Sequence, residues 1–333
     1  MAKTTKVSTA EAVLEEEDDL ELDSVMDDGI DIVPASGPPM DPKKFKKILG
    51  SEKIPPPLIR SLVEVYYDFQ GQRIITSNRI NRQSATNNIS DEDLEKYGVT
   101  ALLGQAESFE NNIKAMLAAQ VPLHPIYQEY LRRIYGIGPV IAAGLMAYIG
   151  DIAKFDNISK LWQYCGYGMN TFCTECDEYT YATVEFEKKD GTKTKAKRFH
   201  NYDICPNCSN PTIPKIQRRQ TGYVSNWNDK FKVLVWKVGQ SALKQKADKS
   251  YYRRKYDEFK AEEERKHPET VKIGGKTFFN KGHWHNRALR KVGKRFLANL
   301  WLTWREMEGL PVTQPYVGAH LGHDIEPPVV DRE

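Results

Sequence analysis

Residues 126–150 read IYQEYLRRIYGIGPVIAAGLMAYIG, a stretch that predicts one short helix, a Gly-Ile-Gly turn, and a second helix opened by Pro139. Proline suits a first helical turn, because the N–H it lacks would have no partner there. Gly136 and Gly138 permit a tight turn with positive φ, and they let a phosphate oxygen approach N–H groups that the second helix leaves unpaired. Ala142, Ala143 and Gly144 let two helices pack closely. Turn, proline and small-residue helix together predict a helix-hairpin-helix at 131–147. The bland alternative is a hairpin that touches nothing. A binding hairpin would meet the sugar-phosphate backbone and so would not read sequence by itself. Arg132, Arg133, Gly136, Ile137, Gly138 and Val140 are the hairpin residues expected at DNA.

Downstream, FCTEC at 172–176 and CPNC at 205–208 give C-x2-C-x28-C-x2-C. Each CxxC offers two sulfurs from one tight knuckle, and four thiolates close a tetrahedral shell around zinc. The segment between them alternates like two strands around the turn KKDGTK. The expectation is a zinc ribbon in which Cys173, Cys176, Cys205 and Cys208 hold one structural Zn²⁺ without a catalytic water. Four free cysteines at this spacing are the alternative. Lys188, Lys189, Lys193, Lys195, Lys197 and Arg198 lie on the expected strands and turn, within reach of a phosphate chain. His283 and His285 flank Trp284, and His320 and His323 sit three apart; core or surface roles are commoner for such histidines than a second metal site.

The chain has 333 residues and 40% hydrophobic content, enough for a sizeable core. No run reaches the roughly 18 apolar residues needed to cross a bilayer, and the N-terminus is acidic where a secretory signal is basic. A cytoplasmic, nucleoid-associated or otherwise intracellular protein without a membrane partner is expected. The net charge of +3 averages two opposite regions. Residues 1–41 carry 12 Asp and Glu against 2 Lys, whereas residues 213–305 carry 24 Lys and Arg against 8 Asp and Glu, with aromatics interleaved. That mixture suits a phosphate backbone. Arg218, Arg219, Lys230 and Lys232 join the expected DNA-contacting set on this ground.

The fold class expected is mainly α, a helical hairpin plus a helix-hairpin-helix domain carrying a small inserted β zinc ribbon. Residues 1–45 are too acidic and too poor in aromatics to repay the entropy of folding, and are expected to be a disordered tail. That tail is either a solubilising extension or an internal mimic of DNA. A coiled-coil-like helical hairpin over 46–130 follows, with helices after IPPP at 54–57 and from about Thr100 to Gln120, and offers a route to a homo-oligomer. The hairpin domain then takes 131–171 and 211–318, the ribbon 172–210, and a C-terminal tail 319–333.

The run RIYGIGPVIAAGLMAYIGDIAKFDNISKLWQYCGYG resembles the C-terminal domain of the DEDD-type insertion-sequence transposases, the recombinases guided by a bridge RNA. Ile149, Gly150, Asp151, Phe155, Leu161 and Gly166 match that family's pattern after the hairpin. TGYVSNWNDKFKVLVWKVG at 221–239 is similar to its Gly-x-x-Ser-x-x-Gly-Asn segment, with Gly222, Ser225 and Asn228 in register and Trp227 in place of the glycine. Residues 286–316 look like its closing helix and Pro-Tyr, and 58–83 with 100–130 resemble its linking helical pair. In the family an RNase-H-like domain supplies four acidic residues that bind Mg²⁺; nothing of that kind precedes residue 58, so the metal-dependent half of the site is expected to be missing. The ribbon stands where the family carries its nucleophilic serine, which leaves Thr221 and Ser225 as the catalytic candidates.

Three readings follow. The first is a DNA-binding protein derived from such a transposase, without autonomous catalysis, that grips duplex or branched DNA. The second is an active recombinase using Thr221 or Ser225 with acids from a partner. The third is a structured-RNA-binding or assembly protein, in which Trp227, Trp236, Trp284, Trp301 and Trp304 stack bases; apolar neighbours such as VLVW and ANLW favour the core for most of them.

Overall fold

Pro139 opens the helix around which the body is assembled. The computed structural model describes residue 47 and residues 51–187, 192–268, 270–273, 276–279, 281–313 and 328–332. The acidic segment 1–45, Lys188 and Lys189, the Pro-Tyr at 315–316, and His320 and His323 lie outside the described residues.

The expected helical pair is α1 (Pro56–Asn87) and α3 (Val99–Gln120), joined through the short α2 (Asp91–Lys96). They run antiparallel. Phe69 stacks on Phe109 at 5.1 Å between ring centroids, and Arg73 donates to Glu110 at 2.6 Å. At the base, buried Gln120 accepts from the Ile54 N–H and donates to the Glu52 carbonyl. Pro55 and Pro56 set the start of α1, and Ser90 caps α2 by accepting from the Asp93 N–H.

Next come α4 (Pro125–Glu129), a 3-10 turn at Leu131–Arg133, α5 (Pro139–Ile149), a 3-10 turn at Ile152–Lys154, and α6 (Ile158–Tyr164). The first helix of the hairpin is thus split. The break falls at Tyr130, a buried residue whose hydroxyl bonds that of Tyr252 at 2.7 Å. Helix α5 is buried nearly all round: Ala142, Ala143 and Leu145 have no exposed surface. A methyl group at Gly144 would stand 2.7 Å from Leu234, so glycine there permits the close approach of α5 and α7 (Asp229–Leu243).

The body is completed by α8 (Tyr251–Lys266) and the long α9 (Lys281–Met307). Trp284, Ala288, Val292, Phe296, Leu300 and Trp304 recur on the buried face of α9 at helical spacing. Asn228 and Ser250 cap α7 and α8.

The β insert has two three-stranded sheets. One orders β2 (Glu178–Tyr179), β1 (Met169–Cys173) and β5 (Ile213–Ile216), all antiparallel. The other pairs β3 (Tyr181–Glu187) with β4 (Lys193–Phe199) across the expected turn, and β6 (Tyr223–Val224) lies parallel to β4 and leads into α7. A hairpin of β7 (Thr270–Ile273) and β8 (Lys276–Phe279) separates α8 from α9. The architecture is mainly α with a small β insert. Among the described residues no helix is long and apolar enough to cross a membrane.

Candidate metal centre and nucleic-acid interface

The four cysteine sulfurs lie within 4.8 Å of one another. A tetrahedral shell with metal–sulfur bonds of about 2.3 Å has sulfur–sulfur edges of roughly 3.8 Å. Cys176 and Cys205 stand at 3.8 Å, and Cys173 and Cys208 at 3.4 Å. The four sulfurs are thus close enough together to hold one metal ion. Each knuckle closes with a left-handed residue after its second cysteine, Asp177 at φ 51° and Ser209 at φ 59°. Polar groups point at sulfur in each knuckle: the Cys176 N–H donates to Cys173 Sγ and the Asn210 amide to Cys208 Sγ. Among the described residues no other group of cysteines, histidines and carboxylates has ligand geometry. His285 bonds Tyr256 through Nδ1 at 2.7 Å and contacts Gln240 through Nε2, so its ring serves packing.

A small aromatic core of Phe172, Tyr179, Phe199 and Trp227 lies beneath the knuckles. Buried amides tie this insert to the body. Asn170 accepts from Gln163 and Asn226, and Gln217 accepts from the Gly168 N–H.

At the hairpin, Gly136 has φ +90°, whereas Gly138, for which a positive φ was also expected, has φ −88°. The two glycines differ in role. Ser241 donates to the Gly136 carbonyl at 2.6 Å, and a methyl at Gly136 would stand 2.9 Å from that hydroxyl, so Gly136 is needed for packing against α7. A methyl at Gly138 would meet nothing within 4 Å. Gly138 is the N-cap of α5, and the N–H groups of Val140 and Ile141 find no acceptor among the described residues. The Ile137 and Val140 side chains point into the core, leaving only their backbone to a ligand.

The basic residues differ in availability. Arg132 and Arg133 hold local carbonyls, and Arg133 also holds that of Arg332. Asp331 accepts from the Tyr135 N–H at 2.8 Å and the Tyr251 N–H at 2.6 Å, fastening the C-terminal segment beside the hairpin. Arg219 pairs with Asp229, Lys230 with Glu64, Lys195 with Glu185, and Lys197 with Glu178. Arg218 is exposed, and Lys232 lies half-buried over the Trp227 ring. Sequence reasoning overlooked Arg290 and Lys294 on α9, although their four-residue spacing on a basic helix was a usable signal. Trp227, Trp284, Trp301 and Trp304 are buried; Trp236 is 39% exposed.

Thr221 is exposed and Ser225 half-buried, and no hydrogen bond among the described residues joins either hydroxyl to an imidazole or carboxylate. The residues carrying the family likeness are structural in their contacts. Leu161 is fully buried, Gly166 turns at φ +74° against Trp227, and Asn228 caps α7.

Residues 128–169 match the model of the family described as Transposase IS116/IS110/IS902. Among curated proteins nothing matches the chain. The matched stretch runs from the end of α4 through the hairpin, α5 and α6 to the first residue of β1. The chain thus carries a transposase-related domain centred on its glycine hairpin.

Proposed function

We propose that this protein binds the DNA backbone through the hairpin, the β insert and the basic helices, and acts in the setting of insertion-sequence transposition without autonomous catalysis. The observation that carries this reading is the open N-terminus of α5. The N–H groups of Val140 and Ile141 have no acceptor among the described residues, its entrance at Gly138 bears no side chain, and it lies inside the transposase-related stretch. Unpaired N–H groups and the positive end of the helix dipole together favour a phosphate oxygen. In this reading the four cysteines hold one zinc ion that shapes the insert, a structural role suited to a closed four-thiolate shell.

Gly138→Val tests the reading. The backbone at Gly138 is one that any residue adopts, and the new side chain enters open space, so the variant folds and keeps its metal while the bulk blocks a phosphate. Fluorescence anisotropy with a labelled duplex should show affinity falling about tenfold, equivalent to losing about 1.4 kcal/mol of contact. Unchanged affinity would remove the hairpin from the interface.

A further inference from the structure

Three cations from two helices gather at the C-terminal half of α6 and the turn that follows it. Lys232 of α7 lies along Gly166, its Nζ 5.0 Å from the Trp227 ring. Arg290 of α9 donates to the carbonyls of Tyr167 at 2.7 Å and Gly168 at 3.2 Å, over the Tyr167 ring. Lys294, one turn further along α9, stands 4.0 Å from the Trp162 ring. Each is half-buried on an aromatic face, and exposed Arg218 is near enough for its charge to act on Arg290.

Among the described residues, the acids nearest to them make their hydrogen bonds and ion pairs with other groups. Asp229 takes the Trp227 indole N–H and Arg219, and Glu262 and Glu263 take Lys291 and Arg287. No salt bridge among the described residues includes Lys232, Arg290, Lys294 or Arg218. The cations also feel one another: burial and then the charge of Arg290 lower both Lys232 and Lys294, the latter to about 8, while Asp229 partly opposes this at Lys232. Burial lowers Arg290 too, and Arg218 adds to it. Half-buried like charges without counter-ions are costly in a folded protein unless a ligand supplies the missing negative charge.

We propose that Lys232, Arg290 and Lys294, with Arg218 nearby, form a seat for backbone phosphates of duplex DNA at the junction of the β insert and the helical body. It rests on the DNA-binding reading and deepens it, placing a second grip near the opposite end of α7 from Ser241, which packs on the hairpin turn. The aromatic faces under the cations hold them in place, so little side-chain freedom is lost on binding.

The full chain is titrated with labelled duplex DNA at several salt concentrations, as wild type and as Lys232→Gln/Lys294→Gln. Each phosphate contact contributes about 0.9 to the slope of log affinity against log salt. The double variant should lower the slope by about 2 and weaken binding about tenfold or more at low salt, with metal content and helicity kept. Lys232→Arg/Lys294→Arg should restore most of the slope. Should the Gln variant misfold, Arg218→Gln, an exposed change, should lower the slope by about 1. A further readout is pH: wild-type affinity should fall between pH 7 and 9 more steeply than that of Lys294→Gln. An unchanged slope in well-folded variants, while Gly138→Val still weakens binding, overturns the seat alone. A wild type that binds no duplex overturns the DNA-binding reading and the seat with it. A slope change with single-stranded RNA but none with duplex reassigns the seat to RNA and overturns the proposal as stated.

Discussion

The helical body and the β insert solve the same stability problem by different means. The body surrounds α5 with a continuous apolar cluster reaching from Ile59 to Trp304, and α5 itself has hardly any exposed surface. The insert buries four aromatic side chains, Phe172, Tyr179, Phe199 and Trp227, with Tyr223 against them. Its remaining cohesion comes from sulfurs placed for a metal and from strands pairing through β1. The difference teaches where each region is vulnerable: the body to lost volume, the insert to loss of the metal proposed for its four cysteines.

The largest expected effect is on the insert. Structural zinc contributes about 10–16 kcal/mol in isolated finger peptides, far more than a small aromatic core. Cys173→Ser/Cys208→Ser should abolish metal binding and remove amide protection from Met169 to Ile216, with α1, α3 and α5 still protected in hydrogen exchange. Equal loosening of α5 would mean that the two regions are one cooperative unit. Protein purified without chelator should hold about one zinc per chain by elemental analysis, and none would defeat the metal assignment.

The converse variant probes the body. Leu145→Ala leaves a hole in a fully buried position, and such truncations cost about 2–5 kcal/mol. Thermal melting of the helices should drop while metal content below the transition stays at the wild-type level. Early loss of metal would break the contrast from the other side.

A smaller effect concerns the C-terminal clasp. The Asp331 carboxylate accepts one N–H from the hairpin and one from the first turn of α8. Asp331→Ala should cost about 1–3 kcal/mol by chemical denaturation, because both donors lose their acceptor. A neutral result would mean that water replaces the carboxylate at no cost.

The smallest effect is a pH dependence confined to the body. Burial holds Lys237 and Lys294 at about 8, against 10.5 for an ordinary lysine. From pH 8 upward the unfolded chain binds more protons at these sites than the folded one, so their contribution to stability rises with pH. The gain should show between pH 8 and 10 in urea titrations, and Lys294→Gln should flatten it. An equal rise in that variant would assign the effect to other groups.

Much of the local structure was legible in the sequence because its causes are local. Pro139 and the glycines marked the hairpin, the IPPP run and the Thr100–Gln120 periodicity marked the helical pair, and the CxxC spacing marked the knuckles. These signals depend on φ limits, unpaired N–H groups and alternation, all of which a short window contains. Some particulars were not legible. The splitting of the first hairpin helix falls at Tyr130, which meets Tyr252 more than a hundred residues away.

What the sequence determined alone was the chemistry available: four thiols at ligand spacing, a Gly-Ile-Gly turn before Pro139, and a basic excess after residue 213. Tertiary structure decided which of those groups are free to act. Gly136 and Gly138 look alike in sequence, yet α7 packs on the first and leaves the second open. Lys230 and Lys232 are two residues apart, yet Glu64 of α1 pairs with one while the other lies over Trp227 near Arg290, with no salt bridge among the described residues. Charge pairing and close approach are set by distance in space, and groups that are far apart along the chain can meet only once the helices have packed.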